Sequence, residues 1–150
     1  MSREMRVFFS GPLPSPQAAQ KVMCGFGFPY RIVDLMCDFD RVDGFLPMIC
    51  GADQSGIEIC IGSAFDTIEA RGIADFEPTL EREAAIRWRG DTMERACAYA
   101  LSAAIAQLTG GIVYEDESGS RLDVDIAMQK SAQAWMAGWI AQHRQALGSC

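Results

Sequence analysis

The pattern of apolar and polar positions divides the chain into a strand-rich first half and a helical last third. Met5–Phe9 (MRVFF) suits a first strand. Ser15-Pro16 is an N-cap and first-turn pair for a short helix ending near Gly25. YRIVDLMCD, from Tyr30, alternates Ile32, Asp34 and Met36 with Val33, Leu35 and Cys37, as a strand does. GFLPMIC and IEICIG then flank GADQSG, a loop of turn formers, and predict a hairpin. Ile57, Ile59 and Ile61 share one face of it, with Glu58 and Cys60 on the other. Pro47 predicts an edge or irregular strand. Residues 63–78 show no clear period, leaving room for a short strand or a helical turn.

REAAIRWRG returns to alternation, with Ala84, Ile86 and Trp88 opposite Ala85, Arg87 and Arg89. Asp91 with Glu94 three residues on is a capping-box-like helix start. Met93, Cys97, Ala100, Leu101, Ala104, Ile105 and Leu108 follow at helical spacing. The opposite side is also small or apolar, so this helix is expected to pack on more than one side. Gly110 ends it, and GIVYE is the next strand. Ser120 or Asp123 can cap a final helix whose Ala132, Trp135, Met136, Trp139 and Ile140 form one apolar stripe. The fold class that results is α+β: a mainly antiparallel sheet of five or six strands, two long C-terminal helices on one face, and a shorter helix near the start. With no repeat or linker, residues 1–150 read as a single domain.

Charge narrows the partners. Twenty acidic against thirteen basic residues give a net charge of −7, and the basic ones are scattered, which argues against nucleic acid. An acidic balance is common among soluble proteins, which is the simpler reading here; as a partner signal it would attract a basic protein and speed the encounter. The N-terminus lacks the apolar core of a secretory signal, and no apolar run approaches the roughly 20 residues of a membrane span. The expectation is a cytoplasmic protein with no membrane partner. The six cysteines form no CxxC pair and read as free thiols, Cys60 and Cys97 as core residues and Cys150 as an exposed one.

TGGIVYEDESGSRLDVD, Thr109–Asp125, is the stretch with most candidate chemistry. Its glycines follow a helix, whereas a phosphate loop would place them before one. Its acids fail the calcium-loop order, so a solvated turn with helix-capping carboxylates is the simpler reading. His143, the one histidine, sits near the end of the last helix, and no nucleophile elbow, dinucleotide fingerprint or phosphate loop is present. No catalytic residue, metal ligand or cofactor is expected.

IRWRGDTMERACAYALSAAIAQLTGGIVYEDESG, Ile86–Gly119, resembles small bacterial immunity proteins encoded beside polymorphic or type VI secretion toxins. The pattern is a strand ending in an aromatic and a basic or glycine residue, an alanine-rich helix, then TGG, a strand and an acidic turn. GADQSGIEICIG looks like the middle hairpin of that family. The likeness runs from about Pro47 to Gly119, and its motifs are structural rather than catalytic. The N-terminal third has no counterpart, and the cysteine-bearing strands depart from the pattern. The resemblance implies a protein that covers and blocks one cognate toxin. By analogy it places the partner contacts at Asp53, Glu58, Glu115, Asp116 and Glu117, with Asp123 as an extension. Two other classes fit the same residues: a small-molecule-binding or catalytic α+β domain, and a homo-oligomeric assembly component, at its smallest a homodimer, joined through Trp135, Met136 and Trp139.

Overall fold

A computed structural model describes residues 3–42, 44–73 and 79–148, with side chains as far as Gly138. The fold is α+β, built on one antiparallel sheet of seven strands. The elements run β1 (Arg3–Phe9), α1 (Pro16–Gly25), β2 (Tyr30–Ile32), β3 (Gly44–Cys50), β4 (Asp53–Ser63), α2 (Ala64–Arg71), β5 (Arg82–Trp88), α3 (Thr92–Thr109), β6 (Ile112–Glu115), β7 (Ser120–Leu122) and α4 (Val124–Gly148). Their order across the sheet is β2-β3-β4-β5-β1-β6-β7. The first strand in sequence thus lies inside the sheet, between β5 and β6.

Strand alternation sends Met5, Val7, Ile57, Ile59, Ala84, Ile86, Trp88 and Val113 to one face, where they meet α3. Asp91 caps α3 as expected, its Oδ1 accepting from the Met93 and Glu94 amides at 2.7 and 3.4 Å. Glu94 turns back to accept from the Arg89 amide at 2.9 Å. Gly110 closes the helix in the left-handed conformation, at φ 68°. Residues from Met93 to Ala106 are buried on almost every side because α3 is sandwiched: the sheet lies beneath it and α4 runs along its back. The two long helices therefore share one side of the sheet as successive layers.

Several expectations need correction. Only Tyr30–Ile32 of YRIVDLMCD pairs as a strand. The Val33 amide still donates to Pro47 O at 3.1 Å, but Asp34 Oδ1 then accepts from the Met36 amide and turns the chain away. β3 is an inner strand in the sheet order, but β2 pairs only with its Met48, Ile49 and Cys50, so residues 44–46 are open on that side. Its proline faces the end of β2, where a missing N–H breaks no ladder. The edge falls instead to β2, and the Gln20 amide covers it, donating to Tyr30 O and accepting from the Ile32 amide, both at 2.7 Å. The hairpin turn is only Gly51-Ala52, so Asp53 belongs to β4 and pairs with Cys50. Cys60 is exposed, because the alternation that buries Ile57 and Ile59 turns it outward; Cys97 is buried as expected.

Ser120 lies in β7, and Asp123 is the residue whose carbonyl accepts the first α4 amide, from Ala127. The buried line of α4 is Ala127, Ser131, Ala134 and Gly138, small residues that let it approach α3. Of the anticipated stripe, Ala132 and Met136 are exposed and Trp135 is partly buried against the core. The side chains of Trp139, Ile140, His143 and Cys150 lie outside the described residues, as does the segment 74–78.

Candidate partner-binding face

The second face of the sheet is divided in two. Over β1 and β6, Phe8, Ile112 and Tyr114 are covered by Ala64 and Ile68 of α2 with Ile73 and Leu80. Ion pairs reinforce this side. Arg6, 7% exposed, reaches Glu4 at 2.7 Å, Glu83 at 3.1 Å and Asp116 at 3.5 Å. Arg71 of α2 adds Asp116 at 3.1 Å and Glu4 at 3.7 Å, and Thr67 donates to Glu83 at 2.8 Å. Burial raises the pKa of Asp116 against the opposing pull of Arg6 and Arg71, with Glu4 and Glu83 pushing the same way as burial.

Over β3, β4 and the Arg87 end of β5 no helix covers the second face among the described residues, whereas Glu83, at the other end of β5, is buried beside Thr67 of α2. The outward positions of β3 are Phe45, Pro47 and Ile49; Phe45 is 58% exposed. Exposed Val33 lies beside them, lining one groove with Phe45, Pro47, Ile49 and Gln54. Phe45 pairs in register with Glu58, and Glu58 with Arg87. The ring of Phe45 lies across Gly56. A Cβ there would collide with the ring and come within 2.7 Å of Leu46 O. The exposed aromatic therefore rests on a platform that only glycine provides. Beside it a cleft of about 190 Å³ is lined by Phe45, Glu58, Arg87, Trp88, Arg89 and Glu94. Arg87 turns towards Glu4, at 3.5 Å.

The anticipated contact residues do not come together as one acidic surface. Glu115 is buried on the helix side of the sheet, where Tyr99 OH donates to it and Lys130 Nζ lies 3.1 and 3.2 Å from its oxygens. Burial raises its pKa, but hydrogen bonds from Tyr99, Ser118 and Lys130, with the Lys130 charge, outweigh that and leave it lowered. The same burial, with the bond to Glu115, pushes Tyr99 up to about 12. Asp116 is half-buried among Arg6 and Arg71, Glu117 is exposed and 3.4 Å from Arg3, and Asp123 is exposed before α4. Glu58 stands on the opposite face, three strand spacings away, or about 14 Å. Asp53, half-buried, lies about 20 Å further along β4 than the level of Glu115. Glu58 is the one anticipated residue on the uncovered face.

Sequence reasoning missed Phe45, Gly56 and Arg87. For Phe45 a signal was present: GFLPMIC is apolar without alternation, the pattern of a strand buried on both faces. Among the described residues no group of three or more His, Cys, Asp or Glu is placed to hold a metal ion, and no helix is long and apolar enough to cross a membrane. Compared with family models, curated proteins and solved structures, the chain matches none.

Proposed function

We propose that this chain is a protein-binding domain that neutralises a toxic partner, with the outer face of β3, β4 and β5 as its contact surface. The observation that carries the reading is β3 itself. Leu46, Met48 and Cys50 fill the core on one side, while Phe45, Pro47 and Ile49 present an apolar surface on the other. An aromatic anchor bordered by charged residues has the anatomy of a protein contact, in which apolar positions hold and charges select. The choice of a toxin as partner rests on the resemblance of Ile86–Gly119 to immunity proteins.

The test begins with capture of partners by the tagged chain from the cells that make it, followed by reconstitution from purified components. The expected result is a stoichiometric complex in which the partner loses its toxic activity. Phe45→Asp and Ile49→Asp are expected to abolish both binding and protection while lowering the melting temperature only modestly, since Phe45 is exposed and Ile49 half-buried on the outer face. A partner bound equally well by these variants would overturn the placement of the surface. Self-association is the competing outcome: a dimer that Phe45→Asp dissociates, with no other protein neutralised, would replace the toxin reading.

A further inference from the structure

The uncovered face carries a charge imbalance at one point. Of the carboxylates on this side of the sheet, Glu4 is shared by Arg6, Arg71 and Arg87, Glu83 is held by Arg6 and Thr67, and Asp116 by Arg6 and Arg71. Glu58 makes no ion pair among the described residues, although Arg87 is its neighbour in register, because the Arg87 guanidinium turns to Glu4. The unneutralised carboxylate stands directly across from Phe45, whose ring is exposed and seated over Gly56. Glu94 lines the same cleft and supplies a second carboxylate.

We infer that the partner presents a basic side chain, arginine or lysine, to this point, its cationic head lying against the Phe45 ring and pairing with Glu58. This rests on the proposed partner-binding reading and names the chemistry of the contact. An aromatic face attracts a cation through its quadrupole, and an adjacent carboxylate fixes the cation's position. The rigid seat of the ring reduces what ordering it on binding would cost. The net charge of −7 draws a cationic surface towards the chain over longer distances. Arg87 and Arg89 line the same cleft and repel a cation that approaches them, so the entering group is held to the Phe45–Glu58 side.

The test is an NMR titration of the ¹⁵N-labelled full chain with three capped tripeptides, glycine-X-glycine with X arginine, glutamine or aspartate. The arginine peptide is expected to give saturable shifts at the amides of Phe45, Gly56 and Glu58, the aspartate peptide none there. Glu58→Gln and Phe45→Ala are each expected to weaken binding about two- to fivefold, with the spectrum away from these residues unchanged. Glu58→Asp is expected to restore part of the loss. Shifts absent at these amides, or the same for arginine and glutamine, would overturn the inference. A partner captured by the wild type and lost by Phe45→Asp would then still support the binding reading, so the two can fail separately.

Discussion

Glu115 was expected at a partner surface, and its position makes a sharp prediction of a different kind. Glu115→Gln preserves side-chain length and leaves an oxygen to accept from Tyr99, but removes the charge that Lys130 pairs with. A hydrogen bond to a charged group is worth ~1.5–3 kcal/mol, and removing one member of a fully buried pair costs ~3–5 kcal/mol. The Lys130 side chain is 32% exposed and keeps part of its hydration, which puts the expected loss at about 2 kcal/mol. For a chain of 150 residues this is a fall of about 4–8 °C in melting temperature. The pH dependence has a definite sign. The folded pKa of Glu115 lies below its ordinary value, so its contribution is complete above the usual carboxylate range and lost as pH falls through the lowered value. The two proteins should differ most near neutrality and converge on acidification. Urea unfolding at a series of pH values measures this directly. Equal stability near neutrality, or a difference that widens in acid, would refute the account. The same reasoning means that charge reversal at Glu115 reports on stability before it reports on any partner.

Two further outcomes follow from positions elsewhere. Gly56→Ala is expected to cost ~1–3 kcal/mol, because the added Cβ meets both the Phe45 ring and the fixed Leu46 carbonyl; melting temperature and the ring-current shifts near Phe45 would show it. The native thiols are expected to divide by exposure. Cys24 and Cys60 should be alkylated rapidly, and Cys50 and Cys97, both buried, only on unfolding; peptide mass mapping against time checks the order. Cys50 should be the slower by chemistry as well, since its contact with Cys97 and its burial push the thiol pKa far up.

Local signals determined much of this protein from sequence alone. Ser15-Pro16, Asp91 with Glu94, and Gly110 mark helix ends through bonds to neighbouring amides or through a backbone conformation, and such features act within a few residues. The two-residue period of REAAIRW, and the apolar positions on both sides of α3, were legible for the same reason. What the sequence could not decide was which elements lie side by side. The insertion of β1 between β5 and β6 depends on pairing across long stretches of chain, and no local pattern encodes it. That pairing sends Glu115 inward to Tyr99 and Lys130, and gathers Arg6 with Glu4, Glu83 and Asp116, so acids that look like one cluster in sequence separate onto two faces. The apolar run of β3 announced burial on both sides, but only the placement of α2 over β1 and β6 left one of those sides uncovered. The alternation of side chains is set by the backbone of a single strand; what covers each side is set by the packing of the whole chain.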